Sequence, residues 1–276
     1  MVQAKEWADA LGETPPDPAW LENEIKRLRK KTIMPLEQVV RLHDWLEGKR
    51  KSRQSCRIVG ESRTGKSCAC EAYSYRNKPK QELGKKPSLP VVYIQVPDKC
   101  ASKKLFEEII ESLKHRATKG TVADLRNRAF EVLRACEVEM LIIDEADRLK
   151  RETFADVRDI YDKLEIAVVL VGTDRLDAVI KRDEQVHNRF RACYRFGKLA
   201  GDDFKKMLVI WEQKVLQLPV ASNLTSKEML RILTVSTEGY IGRMADILRD
   251  AAIQSLSKGF KKIDRAILQD VAKENK

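Results

Sequence analysis

The sequence predicts an α/β fold: a three-layer sandwich on a five-stranded parallel sheet, followed by a small all-α unit. Three observations predict it. Short apolar runs alternate with helical stretches from about residue 57 to residue 196, as strands joined by crossover helices do. Runs such as Met140-Leu141-Ile142-Ile143 are apolar without alternation, as a strand buried on both faces requires. After Gly201 the strand signals stop and only helical periodicity continues.

The elements follow in order. Residues 1–20, with Pro15, Pro16 and Pro18, read as an irregular leader, and residues 20–31 as an amphipathic helix with Leu21, Ile25 and Leu28 on one side. Pro35 opens a helix over 36–47 that is expected to stop at Gly48. Strands are predicted at 57–59, 91–96, 140–143, 166–171 and 193–196, with helices at 103–115, 122–136, 153–163 and 175–181 between them. Helices at 202–216, 226–236, 241–258 and 265–273 complete the chain. The expected domains are a leader with its helix (1–32), an α/β core (33–200) and a helical lid (201–276), which 276 residues can accommodate.

Hydrophobic residues make up 43% and charged residues 34%, the balance of a soluble globular chain. No apolar run is long enough to span a membrane, and the start lacks a signal-peptide apolar region, so a cytoplasmic protein without membrane contact is expected. The six cysteines form no C-x-x-C pair and have no His partner at zinc spacing, so reduced, packed thiols are expected. The tryptophans (7, 20, 45, 211) read as helix packing, and His43, His115 and His187 as incidental. The net charge of +11 is unevenly spread, with ten Lys/Arg against three Asp/Glu over residues 26–53. Further basic groups fall in predicted loops, which points to a polyanion partner, most simply DNA.

Gly60-Glu61-Ser62-Arg63-Thr64-Gly65-Lys66-Ser67 is a full G-x-x-x-x-G-K-S phosphate loop. The apolar run Cys56-Arg57-Ile58-Val59 leads into it, and a helix is expected to continue from Cys68. The glycines let backbone N–H groups turn toward phosphate oxygens, and the helix start adds its positive dipole end. Lys66 suits the β- and γ-phosphates, and the Ser67 hydroxyl suits Mg²⁺. A nucleoside triphosphate, ATP with Mg²⁺, is the expected ligand.

The second constellation is Met140-Leu141-Ile142-Ile143-Asp144-Glu145-Ala146-Asp147, whose carboxylates arrive where a buried strand ends. Asp144 is placed to hold the Mg²⁺ shell and Glu145 to orient and deprotonate an attacking water. An ATPase is therefore expected.

Five such strands carrying this loop, followed by a helical lid, resemble an AAA+ ATPase over roughly residues 33–270. Within that superfamily the chain resembles the TniB/TnsC-type ATPases of Tn7-like transposons, and its phosphate loop looks closest to the TnsC of CRISPR-associated elements. The resemblance implies further roles. The strand Ala167-Val168-Val169-Leu170-Val171 ends in Gly172-Thr173, where Thr173 resembles sensor 1, a place at which the superfamily more often carries Asn. Asn188-Arg189-Phe190-Arg191 lies where AAA+ rings place an arginine finger, with Arg189 the first choice and Arg191 the second. Arg243 in Gly239-Tyr240-Ile241-Gly242-Arg243 resembles sensor 2, and Ile33 falls where the superfamily contacts the adenine base. The segments after the second strand and after the Asp144 strand face the channel of such rings, which brings forward Lys99, Lys103, Lys104, Lys150 and Arg151. Lys119 precedes Thr121, an expected N-cap with Asp124 at the capping-box position, and both are DNA candidates. No aromatic residue interleaves these groups, so backbone tracking without sequence choice is expected.

The resemblance implies a regulator that assembles as a homo-oligomeric ring or filament on double-stranded DNA. Its implied partners are a transposase and a TniQ-like target-selection protein, with ATP as switch and timer. Three other readings stand beside it: a replication-initiator or helicase-loader ATPase, a P-loop small-molecule kinase, and a scaffold that binds ATP without hydrolysis. Initiators often add a dedicated DNA-binding domain, for which no room is expected after the lid. Kinases of this fold usually lack the Asp-Glu pair and the lid, and an intact Lys66, Asp144 and Glu145 speak against the inert scaffold.

Overall fold

The computed structural model describes residues 17–30, 32, 34, 36–79, 88–115 and 119–275. Its contacts divide the chain into two compact units, one of residues 35–197 and one of residues up to 34 together with 198–276.

In the first unit, α1 having been formed earlier in the chain by Pro18–Arg29, the order is α2 (Glu37–Lys51), β1 (Cys56–Val59), α3 (Lys66–Arg76), β2 (Val91–Gln95), α4 (Ser102–Ser112), α5 (Val122–Ala135) and β3 (Met140–Asp144). A 3-10 turn (Ala146–Arg148) leads to α6 (Thr153–Leu164), β4 (Ala167–Gly172), α7 (Asp174–Ile180), α8 (Glu184–Arg189) and β5 (Ala192–Arg195). The five strands form one parallel sheet in the order β2-β3-β4-β1-β5. Every residue of β1, β3 and β4 is buried, which explains the apolar runs of β3 and β4, while β1 buries Arg57 among its apolar neighbours. Register sets Val59 level with both Gly172 and Arg195, and Gln95 level with Asp144, so the strands end along one carboxyl edge.

One face of the sheet is sealed by α4, α5 and α6. Leu105, Phe106, Ile109 and Ile110 of α4 meet Leu125, Ala129 and Phe130 of α5, with the two phenyl rings edge-on at 6.4 Å. Each fully buried Leu, Ile or Phe contributes about 1.5–3 kcal/mol of burial, enough to override the polar residues between them. Near α3, the α2 residue His43 is buried, its Nε2 2.8 Å from the Ala69 carbonyl and its Nδ1 3.0 Å from Arg76 Nη1. His43 is therefore part of the packing, not incidental.

Several expected boundaries move. Helix α2 does not stop at Gly48: it runs to Lys51, because nothing crowds Gly48 and Ser52 supplies the stop by donating its hydroxyl to the Gly48 carbonyl at 2.9 Å. Helix α8, left outside the expected elements, is nucleated by Asp183, whose carboxylate accepts from Gln185 N and Val186 N. Of the leader, residues 1–16 lie outside the described residues, while the helix expected from residue 20 already begins at Pro18, capped by Asp17.

In the second unit are α1, α9 (Gly201–Trp211), a π-helical turn (Glu212–Leu216), α10 (Lys227–Thr237), α11 (Ile241–Ser257) and α12 (Arg265–Glu274). The expected helix at 202–216 thus changes its winding after Trp211. Arg27 of α1 caps that turn, donating to the carbonyls of Val215 (2.7 Å) and Leu216 (2.6 Å). Arg249 of α11 returns a bond to the Leu28 carbonyl at 3.0 Å and stacks over the buried Trp211 ring. Trp45 packs on Tyr194 in the first unit, and Trp20 is 39% exposed on α1.

Candidate nucleotide site and the family of the chain

The phosphate loop lies between β1 and α3, at the carboxyl edge. Its two glycines are required for different reasons. A Cβ on Gly60 would stand 2.2 Å from the Phe196 carbonyl oxygen, where the chain leaving β5 crosses close. Gly65 has φ 96°, a left-handed conformation in which it caps α3. Arg63 also turns left-handed, at φ 63°. The buried Thr64 hydroxyl donates to the Glu61 carbonyl at 2.8 Å and closes the loop. Lys66 is only 8% exposed, and its Nζ donates to the same carbonyl at 3.1 Å. An ammonium folded into a ring of backbone at a helix start is what a phosphate chain needs. Ser67 and Cys68 follow in the first turn of α3, both half-buried, and Glu61, Ser62 and Arg63 form the exposed rim.

Asp144 ends β3, 1% exposed. Its Oδ2 accepts from the Tyr93 hydroxyl at 2.6 Å and its Oδ1 from the Glu145 amide at 2.8 Å. Burial, and the Asp144 carboxylate beside it, push the Tyr93 phenol well above its usual range, so it stays a donor and holds the carboxylate still. Glu145 takes a left-handed backbone (φ 56°, ψ 34°) and keeps its carboxylate half-exposed, 3.6 Å from Arg148 Nε. Sequence reasoning missed Tyr93; its one signal was a phenol in an apolar strand, which needs a partner when buried.

Thr173 follows β4 and caps α7, accepting from the Arg175 amide at 3.3 Å. Its hydroxyl donates to Asp147 Oδ2 at 3.1 Å, while Asp147 Oδ1 is buried and has no hydrogen-bond partner among the described residues. Gly172 makes room for that carboxylate, since a Cβ there would lie 2.7 Å from Oδ1. The carboxylate two residues after Glu145 therefore links the β3 and β4 ends, a role that the sequence reading did not give it.

The donor set fits Mg²⁺ with a triphosphate: one buried carboxylate, one hydroxyl at the helix start and a buried ammonium, the sparse protein shell this cation accepts. Among the described residues no three His, Cys, Asp or Glu side chains gather as a metal cage. All six cysteines are free thiols.

The other candidates are placed as follows. Arg189 ends α8, and its guanidinium is held by Asp162 of α6 at 2.8–3.0 Å. Arg191 is exposed beyond it. Arg243 lies in the second unit, on α11, paired with Glu238 at 2.9 Å and stacked over Tyr240 at 4.6 Å. Ile33 lies outside the described residues.

Among the basic candidates, backbone bonds stitch two loops together: Cys100 N donates to the Arg148 carbonyl (3.0 Å) and Lys150 N to the Cys100 carbonyl (2.9 Å). Exposed Lys99 on one loop, with Lys103 in the first turn of α4 that follows it, and Lys150 and Arg151 on the other thus share the carboxyl edge. Helices α4 and α5 run the same way, since Leu113 and Cys136 just past their ends line one cavity of about 510 Å³ with Leu89, just before β2. Their starts, with Lys103 and with Lys119 and Thr121, therefore also lie toward that edge. Thr121 forms the expected capping box: its hydroxyl donates to Asp124 Oδ2 (2.7 Å) and accepts from the Asp124 amide. Lys104, by contrast, is paired with Glu108 at 2.9 Å.

A family described as "Bacterial TniB protein" matches residues 25–197, well over half of the chain. The chain belongs to the TniB family. With its phosphate loop and Asp-Glu strand end in this geometry, it is an ATP-binding AAA+ protein of the TniB type. This TniB protein is 25% identical over 103 residues to a "Potential ATP-binding protein" of Staphylococcus aureus, spanning 38% of that relative's length. Among solved structures it is similar to Cdc6p of Pyrobaculum aerophilum (TM-score 0.70, 19% identity, 92% of this chain and 70% of that one). It is similar also to the Aeropyrum pernix ORC1 protein, solved in complex with DNA (TM-score 0.69, 15% identity, 91% and 69%). At such identities these likenesses are of fold. No described helix of this TniB protein is long and apolar enough to cross a membrane.

Proposed function

We propose that this TniB protein is an ATP-hydrolysing, DNA-binding regulator of transposition of the TnsC kind, acting in the cytoplasm. It assembles as rings or filaments on duplex DNA and couples target selection, through a TniQ-like protein, to a transposase. The observation that carries the reading is the carboxyl edge, which gathers the phosphate loop, Asp144, Glu145 and Thr173 with a flank of exposed lysines and Arg151. The TniB match supports transposition over the initiator reading, whose relatives share the fold. The S. aureus relative's name and the DNA-bound ORC1 structure point the same way on ATP and DNA.

ATP supplies the phosphoryl group and Mg²⁺ neutralises charge on it. Lys66 and the loop amides hold the phosphates, while Ser67 and Asp144 take the cation. Tyr93 keeps the Asp144 carboxylate oriented. Glu145, carried outward by its left-handed backbone, accepts the proton of the attacking water. Thr173, held on Asp147, acts as the sensor of the γ-phosphate. Arg189, with Arg191 as second choice, reaches a neighbour's nucleotide. Its bidentate pairing with Asp162 must open for that contact. Lys99, Lys103, Lys119, Thr121, Lys150 and Arg151 follow the DNA backbone. Since Asp124 engages the Thr121 hydroxyl, Lys119 provides the charge at that turn.

Electron microscopy of the protein with duplex DNA tests this reading. Continuous rings or filaments are expected with ATP and Mg²⁺, and their loss when ATP is omitted. Monomers alone on DNA in the presence of ATP would overturn it.

A further inference from the structure

Arg57 is the charged residue of β1, the strand that leads into the phosphate loop. Its side chain is 7% exposed, and that of its partner Asp177 on α7 is 10% exposed. Nε donates to Asp177 Oδ1 at 2.8 Å. Nη1 donates to the carbonyl oxygens of two consecutive residues, Phe190 and Arg191 (3.2 Å for the latter). Asp177 Oδ2 takes Lys181 at 2.7 Å, and Arg195 stands 4.0 Å away. The Lys181 bond, against the cost of burial and with help from Arg57, holds the Asp177 carboxyl below the usual carboxylate range, so the cluster stays ionised.

A buried ion pair is a poor way to gain stability, because well-packed apolar residues often do as well. What a planar guanidinium does better is fix geometry, through several donors in one rigid fork. Here the fork holds the turn from α8 into β5 on both sides of the Phe190–Arg191 peptide. Phe190 itself is fully buried and anchors that turn from below. Arg189 and Arg191 leave from either side of this peptide.

Resting on the trans-arginine reading above, we propose that Arg57 is a positioning residue for the arginine finger. Through its hold on the turn, it sets from inside the subunit where Arg189 and Arg191 are presented to a neighbour's nucleotide. The strand that carries a subunit's own phosphate loop and the arginines it offers to the next subunit then form one rigid frame. Assembly and nucleotide occupancy become coupled through that frame.

Mixed assemblies on duplex DNA with ATP test this. Subunits carrying Glu145→Gln present residues 189–191 without turning ATP over. Subunits carrying Arg189→Ala keep their hydrolytic residues but lack the finger. Hydrolysis by the mixture above either type alone reports an arginine acting in trans. Arg57→Lys, which keeps the charge but gathers its donors on a single nitrogen and loses the rigid planar fork, is then placed in one type or the other. In the Glu145→Gln donor it should remove roughly tenfold or more of the stimulation, out of the thousandfold scale on which such arginines act. In the Arg189→Ala acceptor it should leave the rate within about twofold. Equal loss in both types, or loss in the acceptor alone, overturns the proposal. No stimulation by unmodified donors overturns the trans-arginine reading and the positioning role with it. Should Arg57→Lys fail to fold, Arg57→Met with Asp177→Leu removes both charges. That pair should fold and show the same donor-selective loss, and full donor activity from it would overturn the proposal.

Discussion

At Glu145 the backbone adopts a left-handed turn that costs a non-glycine residue roughly 1–2 kcal/mol. Strain of that size persists at functional sites, and here the turn leaves the carboxylate half-exposed near Arg148 while Asp144 is buried. Glu145→Gln keeps the shape and removes the base. It should retain nucleotide and DNA binding while turnover falls by about 10²–10⁴-fold, the range general-base catalysis supplies. Steady-state phosphate release alongside nucleotide binding measures it, and undiminished hydrolysis would take Glu145 out of that role. Lys66, Ser67, Asp144 and Glu145 were legible because their spacing is local. Tyr93, Asp147 and Arg57 were not, because each is defined by a partner on another strand or helix. Arg57 even sat unnoticed inside a run counted as apolar.

The helical elements carry their own testable chemistry at the α2–α3 contact. Arg76 faces Nδ1 of His43 and the Ala69 carbonyl faces Nε2, an arrangement that suits a neutral ring with its proton on Nε2. Burial lowers the His43 pKa below its ordinary 6.5, with Arg76 adding to the effect against the pull of Ala69 and Asp44. Above that value both folded and unfolded rings are neutral, and the contribution to stability is constant. As pH falls through 6.5 the unfolded chain takes its proton first, so stability drops until the folded ring is protonated too. Between about pH 7.5 and 5.5 the melting temperature should therefore fall further than in His43→Gln. Equal falls would place the pH dependence elsewhere. Element types were readable from period and caps, as the Thr121–Asp124 box shows. Ends were less so: Gly48 looked like a stop, yet an uncrowded glycine leaves the helix free to continue until Ser52 bonds back.

Across the whole molecule, a net charge of +11 is a statement about partners. Its placement makes it specific, because the Cys100–Leu149 pairing sets two basic loops side by side. Lys103→Ala should weaken duplex binding equally for unrelated sequences and flatten the slope of log affinity against log salt by about 0.9, one phosphate contact. Titrations on two sequences at several salt concentrations measure it, and an unchanged slope would place Lys103 off the backbone. The division into units shows a similar dependence on placement. The helix at Pro18–Arg29 precedes the α/β core in sequence but is counted with the C-terminal helices, where Arg27 and Arg249 bind it to carbonyls of that unit.

The amino-acid sequence alone determined the α/β class, the five strands, the helical second unit and the phosphate loop with its Asp-Glu partner. These rest on periodicity and short-range spacing, which a chain displays without being folded. Only the tertiary structure decided that Gly60 is demanded by the Phe196 carbonyl and that Tyr93 steadies Asp144. It also joined Asp147 to Thr173 and Arg57 to the turn between Arg189 and Arg191. Such pairings depend on strand order and register, and those come from how the sheet is wound.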